Sequence, residues 1–196
     1  MKTFYICSYG GCGSKNLSGA LAKYGKVRHV HSRCPPQELE YCGNQAGGKC
    51  YGEWFNGIKI PDDQLDNYCV IYIYKNPVQA ILSRFRIPAH LEHIQTKKTT
   101  TMYEVVTKME DLYGINEFYN NYTQTLAKRN YKIHCIKYED MFDKHDELSK
   151  VLNIGPLQLV KKETKRSPPQ PMVDKLYVLY KDLLETMETN DFLFDN

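Results

Sequence analysis

Phe4-Tyr5-Ile6-Cys7-Ser8-Tyr9-Gly10-Gly11-Cys12-Gly13-Ser14-Lys15-Asn16-Leu17 is the stretch that decides how this chain folds. Its apolar start, residues 4–8, reads as a strand. Leu17, Ala20, Leu21 and Tyr24 recur at offsets of three and four, which predicts a helix over 15–24. Strand, glycine turn and helix together make a cradle for an anion. The glycines let the backbone turn tightly, successive N–H groups point inward, and the helix N-terminus adds positive potential. Lys15 stands where its ammonium can reach a bound anion. The same glycine pattern also serves as a plain strand-to-helix connection, so the remaining residues must choose between the two.

Outward from this stretch, strands and helices alternate. Gly25 stops the first helix, and residues 26–32 read as a short strand with Val27, His29 and His31 on one face. Residues 33–67 show no clear period and many glycines and prolines; they are expected to be loop-rich, a lid or a stretch of short elements. Residues 68–74 are apolar throughout, as a strand covered on both faces must be. Lys75 ends that strand. Asn76 and Pro77 then form a helix start, a side-chain cap followed by proline at the first helical position. This helix is expected to reach about Arg86, where Pro88 stops it, and 88–101 is a second loop-rich segment. Helices are expected over 102–113, 116–129 and 145–153, a strand over 131–138, and one amphipathic helix through Val173, Leu176, Tyr180, Leu183 and Met187. The expected architecture is a single α/β domain over 1–196, three-layered α/β/α with a central parallel sheet. Ligands in such sheets bind beyond the carboxyl ends of the strands. The glycine turn and Lys75 both lie there, so they should share one crevice.

Composition narrows the partners. Charged residues make up 25% of the 196 residues and nearly cancel, for a net charge of +3. A nucleic-acid binder would show a concentrated basic face, so nucleic acid is not expected; a small anionic ligand in a local basic site fits better. No apolar run approaches the roughly 20 residues of a membrane span. Met1-Lys2-Thr3 leads straight into the first strand, and no secretory leader is expected. The chain contains seven cysteines, an odd number, without a C-x-x-C pair. Cys7, Cys69 and Cys135 sit in strand-like runs, where a free thiol behaves as a small hydrophobe. These features point to a soluble protein of a reducing, cytoplasmic compartment. Cys34, Cys42 and Cys50 are evenly spaced but lack the short spacing of zinc ligands, and they are read as unpaired thiols rather than a metal site. Oligomeric state is not legible.

Two anion-binding readings compete for the glycine turn. A P-loop nucleotide kinase would carry G-x-x-x-x-G-K-[ST], with a hydroxyl for magnesium after the lysine. Here Gly13-Ser14-Lys15-Asn16 inserts a serine before the lysine and places asparagine where the hydroxyl belongs. Glu139-Asp140, after the strand at 131–138, keeps the kinase reading open as a source of a metal-holding carboxylate.

The other reading uses more residues. The chain resembles the sulfotransferases that use 3′-phosphoadenosine 5′-phosphosulfate (PAPS). Ser8 to Leu17 resembles the family's 5′-phosphosulfate loop. Tyr72-Ile73-Tyr74-Lys75-Asn76-Pro77, with Ser83 eight residues after Lys75, resembles its 3′-phosphate site. Ile136-Lys137-Tyr138-Glu139-Asp140-Met141 resembles its Y-E-D-[LM] signature. The resemblance implies a P-loop-like sulfotransferase fold and transfer of a sulfuryl group to a hydroxyl or amine of a small-molecule or carbohydrate acceptor. It implies PAPS as donor, adenosine 3′,5′-bisphosphate as product, and no metal. It implies that Gly10, Gly11, Cys12, Gly13, Ser14, Lys15 and Asn16 hold the phosphosulfate, and that Lys75 and Ser83 hold the 3′-phosphate. A non-catalytic nucleotide-binding relative would share these residues.

Departures from the family are specific. Lys75 replaces the usual arginine, which keeps the charge and loses the bidentate fork. The loop lysine of the cytosolic enzymes falls on Gly11, with Lys15 displaced towards the helix. The C-terminal R-K-G segment is absent, and Lys165-Arg166-Ser167 is the nearest counterpart. The K-T-H-x-P histidine is missing from Gly57-Ile58-Lys59-Ile60-Pro61. The catalytic candidates are therefore Lys15, to steady charge on the leaving group, with Glu53 (beside Trp54-Phe55) or His31 as general base. His90 and His93, one helical turn apart, are read as a polar face that lines the acceptor pocket. The tyrosines within 103–131 are read as core, core edge or an acceptor-stacking surface.

Overall fold

A computed structural model of the chain describes residues 1–43, 54–85, 87–124, 128–161 and 169–196. Glu53, Cys50, Arg86 and Lys165-Arg166-Ser167 lie outside the described residues.

The first strand, β1 (Lys2–Cys7), is buried along its apolar half and leads into the glycine turn and helix α1 (Ser14–Leu21). The chain returns as β2 (Gly25–Val30), parallel to β1. Residues 33–67, expected to be loop-rich, contain a small antiparallel pair, β3 (Glu40–Cys42) and β4 (Phe55–Lys59), and a 3₁₀ turn at Asp62–Asn67. The strongest strand of the sequence, β5 (Tyr68–Tyr74), falls where its composition predicts. Val70 to Tyr74 are all at most 2% exposed, so both faces of the sheet are covered there. Helix α2 (Pro77–Arg84) follows, then α3 (Pro88–His93), α4 (Met102–Lys108), α5 (Ile115–Thr123), β6 (Ile133–Lys137) and α6 (His145–Val151). Two helices, α7 (Gln170–Leu179) and α8 (Lys181–Thr189), precede β7 (Leu193–Asp195).

Among the described residues the main sheet has the order β2-β1-β5-β6-β7. The pairs β2·β1, β1·β5 and β5·β6 are parallel, and β7 runs antiparallel to β6. The fold is α/β with a mostly parallel central sheet flanked by helices; the antiparallel edge strand corrects the all-parallel expectation. From β1 the chain moves to β2 on one side, and from β5 to β6 on the other. The carboxyl ends of β1 and β5 therefore flank a switch point, where connections leave in opposite directions and open a crevice.

Local chemistry accounts for the element ends. The Asn76 side chain accepts a hydrogen bond from Gln79 N at 3.1 Å, with Pro77 in the first turn, as the sequence predicts. Asn76→Ala should cost about 1 kcal/mol of unfolding free energy, seen as a lower urea midpoint with an unchanged slope. Helix α4 stops early because Met109 takes a left-handed conformation, φ 54°. The expected single C-terminal helix is broken at Tyr180, whose phenol donates to Asp111 Oδ1 at 2.5 Å and whose backbone (φ −100°, ψ 17°) is not helical. Pro88 does not only stop a helix; it opens α3, whose Leu91, with Ile94 just beyond it, joins the core. Arg33 fixes this segment by donating to Ile94 O at 2.7 Å and to Gly114 O at 2.8 Å. Phe118, Tyr119 and Tyr122 of α5 are buried, and Tyr122 stacks on Tyr72 at 4.5 Å. These rings are core, not an acceptor surface.

Candidate functional site

The turn after β1 is shaped by three left-handed glycines. Gly11 (φ 70°) and Gly13 (φ 76°) also lie too close to their neighbours for any side chain. A Cβ on Gly11 would stand 2.6 Å from Ser83 Oγ and 2.7 Å from Ala80 O; one on Gly13 would stand 2.3 Å from the Tyr138 ring. The turn is thus pressed against α2 and against the residue that follows β6. Gly13 begins α1 without a side-chain cap, and Asn16 N and Leu17 N donate to its carbonyl at 2.9 and 3.2 Å. The amides of Ser14 and Lys15 precede these bonds and belong to the open end of the helix.

Hydrogen bonds hold the other two blocks against the turn. The Tyr9 phenol donates to Lys75 O and accepts from Lys75 N at 3.0 Å. Tyr138 N donates to Tyr74 O at 2.9 Å, and Glu139 Oε1 accepts from Asn76 N at 2.9 Å. The Lys75 ammonium lies 4.5 Å over the Tyr138 ring. All three stretches meet around one cavity of about 680 Å³ at the switch point.

Gly11, Gly13, Ser14, Lys15, Asn16, Lys75 and Ser83 line this cavity. Two other residues of the predicted set do not. Cys12 is fully buried with Sγ 3.1 Å from Gly10 O, and burial pushes its thiol well above the ordinary range. Gly10 is covered by the Arg84 side chain, whose Cδ would lie 2.5 Å from an added Cβ. Asn16 gives its side-chain amide to Val160 O at 2.8 Å. Sequence reasoning missed Lys23 and Arg84, which also line the cavity. The first was signalled by the four-residue steps Lys15, Gly19, Lys23, and the second by adjacency to Ser83.

No family model, curated protein or solved structure matches the chain.

A second cavity, about 610 Å³, adjoins the first: Lys15, Gly19 and Arg84 line both. Its other walls come from β2, from His31 just beyond that strand, and from α3. Val27, His29 and His31 line it together, as their alternation predicts, and His90 and His93 face them. His31 is 4% exposed, and its ring stacks on His93 at 5.8 Å. His31 Nδ1–H donates to Ser8 O at 2.7 Å, which leaves Nε2 unprotonated in the neutral ring. Burial, aided by Arg84, His29 and His93, pushes the imidazole down to about 3 against the opposing bond to Ser8 O. His31 is thus neutral near pH 7, with the lone pair a base needs but weak affinity for a proton. Glu53 is outside the described residues, but its neighbour Trp54 donates its indole N–H to His93 O at 3.2 Å.

The depressed His31 value has a consequence for stability. The folded chain keeps this ring neutral down to about pH 3, whereas the unfolded chain takes up a proton near pH 6.5. Its contribution is therefore complete above about pH 6.5 and is lost as the pH falls from there through about 3, by up to about 1.4 kcal/mol per pH unit. Urea denaturation should show His31→Asn losing less stability between about pH 6 and about pH 4 than the parent does. Equal losses in both proteins would refute the assignment.

Proposed function

We propose that the chain is a PAPS-dependent sulfotransferase with a P-loop-like sulfotransferase fold. The observation that carries this reading is the meeting of the glycine turn, the Lys75/Ser83 pair and Tyr138 around one cavity at the switch point of the sheet. The residues fit an anionic nucleotide: the turn has room for backbone alone at Gly11 and Gly13, and Lys15, Lys23, Lys75 and Arg84 supply positive charge. When bound, PAPS supplies an activated sulfuryl group; the acceptor oxygen bonds to sulfur as the bond to the 5′-phosphate oxygen breaks, and adenosine 3′,5′-bisphosphate departs.

The protein's part in this chemistry is positioning and charge stabilisation. The turn amides and the Lys15 ammonium hold the phosphosulfate and steady the leaving phosphate. Lys75 and Ser83 hold the 3′-phosphate, away from the reacting centre, and so contribute binding and orientation. Ser83 Oγ–H donates to Ala80 O at 3.0 Å, so it must turn from that carbonyl to donate to a phosphate. The acceptor hydroxyl gives its proton to a base, for which His31, on the wall of the second cavity, and Glu53 are the candidates. Transfer that survives His31→Asn and fails in Glu53→Gln assigns the role to Glu53; the converse assigns it to His31.

The kinase alternative draws less support. Asn16 replaces the metal-binding hydroxyl and is engaged with Val160 O, and Glu139 is engaged with the Asn76 amide. Isothermal titration decides between them: adenosine 3′,5′-bisphosphate should bind without magnesium and more tightly than magnesium ATP. The reverse order would overturn the reading. Bisphosphate binding without transfer to any acceptor in a broad panel would instead mark a non-catalytic relative. A reducing, cytoplasmic setting is proposed with this function, since Cys7, Cys12 and Cys135 are buried free thiols.

A further inference from the structure

One ring joins the two halves of the proposed donor cavity. Tyr138 stands just beyond the carboxyl end of β6, where its N–H donates to Tyr74 O at 2.9 Å and keeps the chain in line beside β5. The Cδ2–Cε2 edge of its ring packs against Gly13, close enough to leave no room for a side chain there. The Phe142 ring meets it edge to face, with centroids 5.3 Å apart and planes at 89°. Its face lies under the Lys75 ammonium, 4.5 Å from the ring centroid. Gly13 opens α1, beside the amides assigned to the 5′-phosphosulfate, and Lys75 is assigned to the 3′-phosphate. The ring therefore touches a residue of each half, and all three residues line the same cavity.

The contact between Lys75 and the ring has a physical consequence. Lysine is a point charge on a flexible four-carbon stem, whereas arginine presents a rigid fork. The Lys75 backbone is clamped by Tyr9, so what remains to be ordered is the stem. A π face attracts a cation. This ring is itself held by Gly13 and Phe142, so the ammonium has a fixed place to rest before any ligand arrives. Burial, with Glu139 and Cys12, raises the pKa of the Tyr138 phenol. The phenol is neutral near pH 7, so the attraction is that of the ring face and not of a phenolate. Ordering a side chain before binding reduces the entropy lost on binding.

We infer that Tyr138 is the positioning residue for Lys75, a platform that holds the ammonium at a set place relative to the glycine turn and so fits the cavity to a nucleotide with phosphates at both its 5′ and 3′ positions. The role acts through Lys75, and the ring's hydroxyl has no part in it. The assignment of Lys75 to a 3′-phosphate rests on the donor reading given above; the platform itself rests on the packing of the ring.

The test uses the full chain, with calorimetric titration of adenosine 3′,5′-bisphosphate and adenosine 5′-phosphate into the parent, Tyr138→Leu, Tyr138→Phe, Lys75→Ala and the variant carrying both Lys75→Ala and Tyr138→Leu. Leucine keeps an apolar side chain against Gly13 and removes the π face; phenylalanine keeps the face and removes the hydroxyl. Tyr138→Leu should weaken the bisphosphate about tenfold, equivalent to about 1.4 kcal/mol, and the 5′-phosphate by less than about twofold. Tyr138→Phe should bind both like the parent. In the Lys75→Ala background the leucine substitution should weaken the bisphosphate by no more than about twofold, since a platform without its lysine has nothing to place. A full tenfold loss in that background, an equal loss for both nucleotides, or a loss in Tyr138→Phe overturns the inference. A second measurement, on the ligand-free parent, does not depend on a variant of Tyr138 folding. NMR should find the Lys75 ε-protons, assigned by their loss in Lys75→Ala, shifted upfield by the ring current of Tyr138. Signals at the ordinary lysine position overturn the platform. Absence of bisphosphate binding in the parent overturns the donor reading, and with it the role toward the 3′-phosphate, even where the ring-current shift is present.

Discussion

Gly11→Ala is expected to abolish binding of adenosine 3′,5′-bisphosphate and to lower stability by about 2–5 kcal/mol. Two costs combine. A non-glycine residue at φ 70° pays about 1–2 kcal/mol for the left-handed conformation. The new methyl group would also lie 2.7 Å from Ala80 O and 2.6 Å from Ser83 Oγ. The serine hydroxyl can rotate, but the carbonyl belongs to α2 and cannot move without shifting the helix, an overpacking cost of about 1–3 kcal/mol. Relief by pushing the turn outward would spoil the amide geometry that holds the anion. Gly19→Ala makes the contrast. No atom outside its own helix lies within 4 Å of an added Cβ, and Gly19 is in the interior of α1. Alanine there should stabilise the chain by up to about 1 kcal/mol. Urea denaturation of the two variants checks both signs, and a Gly11→Ala protein as stable as the parent would show that the turn is not packed against α2 as described.

Lys75→Ala should weaken adenosine 3′,5′-bisphosphate binding by about 10- to 100-fold while leaving adenosine 5′-phosphate binding nearly unchanged. The expected loss is that of one charge-assisted hydrogen bond, about 1.5–3 kcal/mol. The selectivity follows from position. Lys75 lies at the carboxyl end of β5 with its backbone clamped by Tyr9, so the main chain should stay in place when the side chain is removed. The ammonium rests over Tyr138, on the cavity wall shared with Ser83. A ligand without a 3′-phosphate never meets it. Calorimetry with both nucleotides is the measurement; an equal loss for both would move Lys75 to the 5′-phosphosulfate and dismantle the proposed division of the cavity.

Much of the central architecture was legible because it is locally encoded. β5 declares itself through an unbroken apolar run, which only a strand covered on both faces requires. Asn76-Pro77 names its helix start by side-chain capping, an interaction within four residues. The β3–β4 pair was not legible, since β4 is short and largely exposed and its partner lies across a glycine-rich stretch. The break at Tyr180 depends on Asp111, and β7 depends on its partner β6; neither leaves a periodic trace.

The candidate site divides the same way. The sequence by itself determined which residues could cradle an anion, because a turn of glycines, a strand-end lysine and a serine two helical turns on are patterns of spacing. Only the tertiary structure decided which of them face the cavity. It turned Cys12 inward, spent Gly10 on Arg84 and brought Lys15 and Arg84 to the wall between two cavities. It also gathered His29, His31, His90 and His93 from segments about sixty residues apart in the chain. The physical reason is that backbone geometry and capping act over a few residues, whereas burial, electrostatic neighbourhood and cavity walls arise only when distant elements pack.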